Sequence, residues 1–108
     1  EAAPRLPRDA TVVAVLPVES YEEAIAVANG TEYGLSCAIF TENTRTAFRA
    51  MRDIQSGLVY INAGTTGSEP HLPFGGVKHS GNGHRELGPN AIDEWSEVKT
   101  VFVSYPHS

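Results

Sequence analysis

Only one cysteine occurs in the 108 residues, Cys37, together with a single Met and a single Trp. One thiol cannot close an internal disulfide, so the chain suits a reducing compartment and a cytoplasmic location is expected. The setting of Cys37, Leu35-Ser-Cys-Ala-Ile-Phe40, is apolar with no basic neighbour. A reactive thiolate needs a cationic or helix-N-terminal setting, so Cys37 reads as a structural thiol. Positive charge is scarce as well. Eight Lys and Arg against thirteen Asp and Glu leave a net charge of -5, which excludes the clustered basic surface that binds nucleic acid. No apolar run is long. The longest, Thr11 to Val18, falls far short of the ~20 residues that cross a bilayer, so no membrane partner is expected. The first residues, Glu1-Ala-Ala-Pro-Arg5, have neither a Met start nor the basic-then-apolar layout of a signal peptide. The expectation is a chain cut from something longer.

What is present points to an α/β class. Residues 1–10 hold Pro4 and Pro7 and read as an extended leader. Thr11-Val-Val-Ala-Val-Leu16 is a continuous apolar run, the mark of a strand buried on both faces. Ser20-Tyr-Glu-Glu23 starts a helix with a capping box, in which Ser20 caps and Glu23 reaches back. Tyr21, Ala24, Ile25 and Ala28 form its apolar stripe, and Asn29-Gly30 ends it through the left-handed conformation that Gly tolerates. Leu35 to Thr41 predicts a second strand. Asn43 caps a second helix with Ala47, Phe48, Met51 and Ile54 on its apolar face and Arg45, Arg49 and Arg52 largely on the other; Gly57 ends it. Leu58 to Ile61 predicts a third strand. This order is a βαβαβ unit, which implies right-handed crossovers and a parallel sheet. Three strands and two helices are too few to cover buried strands, so the unit reads as part of a larger doubly wound sheet.

From Asn62 to Gly88 the chain is a Gly-rich loop, a length that inside a compact domain is usually functional or disordered. A short helix is expected after Pro89. Val98 to Ser104 alternates as a half-buried strand, away from the βαβαβ unit.

Several strings, in their order and spacing, resemble the end of the aldehyde dehydrogenase superfamily. They are Glu22-Glu-Ala-Ile25 with Asn29, Glu32-Tyr-Gly-Leu-Ser36, Ala38-Ile-Phe-Thr41 and Ser56-Gly-Leu-Val-Tyr-Ile-Asn62. Further on come Pro73-Phe-Gly-Gly-Val-Lys-His-Ser-Gly81, Arg85-Glu-Leu-Gly88 and Glu97-Val-Lys-Thr-Val101. The resemblance implies that residues 11–95 are the last part of a catalytic domain and residues 96–108 an oligomerisation strand and tail. It also implies that Val98, Thr100, Val101, Phe102 and Val103 pair with a partner subunit's sheet in a homo-oligomer, a dimer or tetramer. The family oxidises aldehydes through a Cys nucleophile, hydride transfer to NAD or NADP and a Glu-activated water. All three lie upstream of the matched region, so no catalytic residue is expected in this chain and activity alone is not expected. The family's cofactor-binding Glu before the first strand has no counterpart in Leu6-Pro-Arg-Asp-Ala-Thr11. No cofactor is expected on this piece.

The loop Gly64-Thr-Thr-Gly-Ser-Glu-Pro-His-Leu-Pro73 corresponds to the family's substrate tunnel, and Phe74 to an aromatic near the reacting centre. Its sequence most resembles members acting on acidic semialdehydes. Successive N–H groups at Gly67 and Ser68, with the Ser hydroxyl, can cup a carboxylate. Glu69 would repel an anionic substrate unless it points away or pairs with Arg or Lys.

Other signals are weaker. His71, His79 and His84 lack the spacing of a helical zinc motif, so no metal is expected. Gly81-x-Gly83 follows no strand and lacks the third Gly of a dinucleotide fingerprint. Lys78 and Arg85 read as ion-pair partners of Glu86 or Glu97, and Trp95 as a packing anchor. The rival to the dehydrogenase reading is a non-catalytic self-association module pairing through Val98 to Ser104.

Overall fold

The structure is a computed structural model and describes residues 13–105. The leader at residues 1–10, the first two positions of the strand expected over Thr11 to Leu16, and the last three residues of the tail lie outside the described residues.

Helix α1 spans Tyr21–Asn29 and α2 spans Thr44–Asp53. Between them run β1 (Tyr33–Gly34) and β2 (Ser36–Ile39), followed by β3 (Leu58–Ile61), β4 (Val77–Lys78) and α3 (Asn90–Glu94). The β2–α2–β3 unit is parallel as expected, in the register Ser36↔Leu58, Cys37↔Val59, Ala38↔Tyr60 and Ile39↔Ile61. A second, antiparallel pair joins Tyr33 to Lys78 and Gly34 to Val77. The chain is thus α/β, with strands of both orientations.

The first expected strand is not seen. Val13 to Leu16 carry no ladder bonds, and Val15 is 89% exposed. A strand exists through the partner that takes its N–H and C=O groups, and among the described residues nothing lies beside this run. The same holds at the other end. Val98 to Ser104 forms no strand, and Val98 is 98% exposed.

The helix ends follow local chemistry. The Glu23 N–H donates to Ser20 Oγ at 3.1 Å, as a capping box requires, but the Glu23 carboxylate accepts from the Glu19 N–H (2.8 Å) and not from Ser20. Gly30 has φ -74, so α1 does not end through a left-handed glycine. The Lys78 ammonium closes that end, donating to the carbonyls of Asn29 (2.7 Å) and Thr31 (3.0 Å), where a cation also meets the negative end of the helix dipole. This corrects the ion-pair reading of Lys78. Arg85 likewise donates to the His84 carbonyl at 2.9 Å rather than pairing with a glutamate. Asn43 caps α2 as expected, accepting from the Thr46 N–H at 3.1 Å.

The covered face of α2 is only partly the expected one: Ile54 is buried and Ala47 half-buried, but Phe48 and Met51 are not. Ala50 is fully buried and Ile54 is 7% exposed, while Phe48 is 66% exposed. The helix turns Arg49 and Asp53 toward α1. Arg49 lies 4.1 Å above the Tyr21 ring and pairs with Glu22 at 2.8 Å, and the Tyr21 hydroxyl donates to Asp53 at 3.0 Å. The apolar strip at Phe48 and Met51 faces outward. Trp95, expected to anchor packing, is 87% exposed.

The described chain is open. Its radius of gyration is 21.2 Å, against about 13 Å for a compact domain of this length. It leaves 9498 Å² accessible, where a folded monomer of this mass exposes about 5,800 Å².

Candidate functional site

The Gly-rich loop leaves the parallel pair at Asn62. Its backbone is left-handed (φ 56), and its side chain clasps Thr41, accepting from the N–H at 2.7 Å and donating to the carbonyl at 2.9 Å. Asn tolerates this conformation better than other residues with a Cβ. The clasp closes the C-terminal ends of β2 and β3 and turns the chain out of the sheet.

The loop is then held at three places. The Tyr60 hydroxyl donates to the Gly67 carbonyl at 2.6 Å. The Gly88 N–H donates to the Pro70 carbonyl at 3.0 Å, and the Leu72 N–H to the Glu69 carbonyl at 2.9 Å. Beyond it, Phe74 and Glu86 form an isolated antiparallel bridge, with reciprocal bonds of 2.6 and 2.7 Å. Between β3 and the loop lies a groove of ≈ 440 Å³ lined by Tyr60, Gly67, Ser68, Glu69 and Leu72 among others. Gly67 and Ser68, proposed from sequence, therefore share one site. No hydrogen bond to another described residue uses the N–H of either.

Phe74 is not in that groove. It lines a second one of ≈ 260 Å³ with Gly76, Ser80, Asn82, His84 and Glu86. Its neighbour Pro73 lines the first groove, so Phe74 stands next to that groove in sequence but lines a different one from Gly67 and Ser68. Glu69 does line the first groove, and among the described residues no Lys, Arg or His pairs with it. Its carboxylate is the one formal charge in that lining. Tyr60 was missed from sequence. It reads there as an ordinary strand aromatic, and nothing in the order of residues reveals that its hydroxyl reaches a carbonyl seven positions on.

Cys37 sits on β2 opposite Val59, half-buried, and burial pushes its thiol above the usual range. Its nearest polar contact is the Ala38 carbonyl at 3.9 Å. This is the environment of a packing thiol rather than a nucleophile.

The three loop histidines are dispersed. His79 meets the Tyr33 ring edge-on at 6.3 Å, and His84 Nδ1 lies 2.9 Å from Glu94. Among the described residues no three metal-ligating side chains cluster, and no helix is long and apolar enough to cross a membrane. A dinucleotide pyrophosphate needs a Gly-rich turn from a strand into a helix. The β2-to-α2 turn is Phe40-Thr-Glu-Asn43, without glycine, so that turn is not such a phosphate loop.

Comparison with known proteins places these features in one lineage. The model of the aldehyde dehydrogenase family matches residues 10–101. The chain is 46% identical over 92 residues to the alpha-ketoglutaric semialdehyde dehydrogenase of Bacillus subtilis, a match covering 85% of this chain and 19% of that protein. It is 43% identical over 95 residues to the alpha-ketoglutarate semialdehyde dehydrogenase of Haloferax volcanii, covering 87% and 20%. Among solved structures, an indole-3-acetaldehyde dehydrogenase in apo form superposes with a TM-score of 0.75 at 40% identity, covering 82% of this chain and 20% of that one. The chain spans about a fifth of the length of the curated relatives it matches.

Proposed function

The chain belongs to the aldehyde dehydrogenase family, and on that premise we propose that it is the C-terminal, substrate-contacting part of an NAD(P)+-dependent dehydrogenase that oxidises an acidic semialdehyde to the dicarboxylate. The observation that carries the reading is the loop from Gly64 to Pro73. It is tied down at Gly67 and Pro70, yet no described residue accepts from the N–H groups of Gly67 and Ser68 beside the groove. Backbone N–H groups and a Ser hydroxyl so placed can hold a carboxylate without a formal positive charge. The resemblance of the loop to that of acidic-semialdehyde members points the same way.

In this reading the nucleophile, the general base and the cofactor site belong to the remainder of the enzyme, and residues 13–105 alone do not oxidise aldehydes. Val98, Thr100, Val101, Phe102 and Val103 supply an edge strand to a second subunit. Their apolar side chains are bare and their backbone makes no ladder bonds among the described residues. A stretch of this kind finds its strand geometry when a partner sheet takes its N–H and C=O groups.

One observation favours a second reading. Among the described residues Glu69 has no ion-pair partner in the groove, and a lone carboxylate there attracts a cationic aldehyde and repels an anionic one.

The test is a substrate panel on the complete gene product, following NAD+ and NADP+ reduction. Succinic semialdehyde, butanal and a quaternary-ammonium aldehyde of similar length would be compared by kcat/KM. The acidic reading requires the semialdehyde to lead; leadership by the cationic aldehyde hands the site to Glu69. Reduction of NAD(P)+ by the 108-residue chain alone would remove the claim that it is inactive by itself.

A further inference from the structure

Asparagine followed by glycine occurs twice, at Asn29-Gly30 and at Asn82-Gly83. This dipeptide can lose ammonia without any enzyme. The backbone nitrogen of the glycine gives its proton to solvent and attacks the side-chain amide carbon, Cγ, of the asparagine. The Cγ–Nδ2 bond breaks, Nδ2 leaves as ammonia, and a cyclic imide remains. Solvent water then opens the imide at either carbonyl, leaving aspartate or isoaspartate. Glycine favours the closure because it has no Cβ to obstruct it and its backbone turns freely. The side chain must be able to bring Cγ onto the next nitrogen, and water must reach the imide. The fold treats the two copies in opposite ways.

Asn29 is pinned. Its Nδ2 donates to the Asp53 carbonyl and its Oδ1 accepts from the Gln55 N–H, both at 2.8 Å. It is the last residue of α1, and the nitrogen that would attack is itself engaged, the Gly30 N–H donating to the Val27 carbonyl at 3.2 Å. Asn82 is held far less. It lies in a bend outside every described helix and strand, and both Asn82 and Gly83 are exposed. Among the described residues nothing accepts from the Gly83 N–H. Gly83 has φ 98, and nothing stands within 4 Å of where its Cβ would be. The bond that the Asn82 side chain does make runs from the His84 N–H to Oδ1, at 3.0 Å. It closes a small ring of atoms that contains both Cγ and the Gly83 nitrogen. It also stabilises the negative charge that gathers on Oδ1 as the nitrogen attacks. We propose that Asn82 is a site of spontaneous deamidation in the native protein, whereas Asn29, with the same neighbour in sequence, is protected by the fold. Asn82 lines the groove of Phe74 together with Glu86 and Glu94. The product therefore adds a further carboxylate to that lining, and isoaspartate also reroutes the main chain through its side-chain carbon.

Peptide mapping by mass spectrometry on the complete gene product, aged at mildly alkaline pH, reads both sites in one sample, because each conversion replaces an amide by a heavier acid. The same protein unfolded in denaturant supplies the rate that each site has without structure. At Asn82 the native rate should stay within about threefold of the unfolded one, since no local bond has to open first. At Asn29 it should fall at least about tenfold below the unfolded one, since its hydrogen bonds contribute about 1 kcal/mol each and must open before the ring can form. Asn29 also reports on global unfolding, because a fraction of unfolded chain would modify both sites alike. An Asn82 slowed as much as Asn29, or left unmodified in the aged native protein, overturns the proposal. Equal native rates at the two sites overturn it too, since the fold then protects neither. Asn82→Gln, whose longer side chain closes the ring much less readily, should remove the acid from that peptide and leave Asn29 as it was. Acid still forming there at the parent's rate would place the reaction at another residue, and the assignment to Asn82 would fall.

Discussion

Gly57 and Gly75 meet backbone to backbone: a Cβ on Gly57 would fall inside the Gly75 carbonyl, with the Cα of Gly76 just behind it. Neither obstacle is a side chain that can swing aside. Gly57 was expected to stop α2, but that helix has already ended at Asp53 with Ile54 as its cap. The residue is small because β3 and the Gly75-Gly76 segment approach each other there.

Gly57→Ala should therefore destabilise the complete protein severely, by about 3 kcal/mol or more, since relief requires moving backbone on one side or the other. Chemical denaturation of the variant against the parent checks this. A shift in midpoint worth less than about 1 kcal/mol would mean that the two segments separate easily.

Asn29 is the second joint. Its side chain donates to the Asp53 carbonyl at 2.8 Å and accepts from the Gln55 N–H at 2.8 Å, tying the end of α1 to the exit of α2. Asn29→Ala loses both bonds and leaves two backbone groups without those partners. About 1–3 kcal/mol of stability should go with them. Asn29→Asp keeps the acceptor for Gln55 but sets a carboxylate against the Asp53 carbonyl, so it should not restore the parent. Thermal unfolding of the three proteins side by side decides the order.

Acid should weaken the contact between α1 and α2. Asp53 is held below the usual carboxylate range, first by the bond from Arg52 and then by that from the Tyr21 hydroxyl. Glu22 is held down chiefly by Arg49. A depressed carboxylate stabilises the folded state above its unfolded value, about 3.9 for Asp, and that contribution disappears as pH falls through the folded value. Unfolding midpoints recorded from neutral pH to below pH ~4 should drop more steeply for the parent than for Asp53→Asn. Parallel curves would show that Asp53 carries none of the acid sensitivity.

Cys37 should be dispensable. Its thiol is raised by burial and sits on a sheet strand, and it is not among the residues that line the loop groove. Cys37→Ala should leave kcat/KM unchanged and cost about 1 kcal/mol of stability. At neutral pH, alkylation of Cys37 should lag well behind that of a free thiol in the same buffer. Loss of activity in Cys37→Ala would return the residue to the site.

Much of the architecture was legible because it is local. Ser20 and Asn43 announce the starts of two helices, and the β-branched and aromatic run from Leu58 to Ile61 appears as a strand with the expected bounds. The parallel pairing follows from the helix between the two strands. What failed depends on partners. An apolar stripe tells which side of α2 is oily and not which side has a neighbour. The neighbour is α1, and it meets Arg49 and Asp53 instead of Phe48 and Met51. Val13 to Leu16 has a strand's composition and no strand beside it. The pair of Tyr33-Gly34 with Val77-Lys78 is two residues long on each side, too short for any periodicity to show. At the candidate site, Gly67 and Ser68 stand out in the sequence through the loop's resemblance together with their backbone donors, and Phe74 through resemblance alone. Tyr60 was invisible because its role is a contact across a loop.

The surface left bare at Val13 to Leu16 and at Val98 to Val103 would make folding a matter of concentration wherever a separate molecule covers it. Any surface that covers these strips binds the ordered chain and not the unfolded one. Each tenfold rise in the concentration of that surface above its dissociation constant then adds about 1.4 kcal/mol to the ordered state. Dilution by itself would then act on such a chain as a denaturant does.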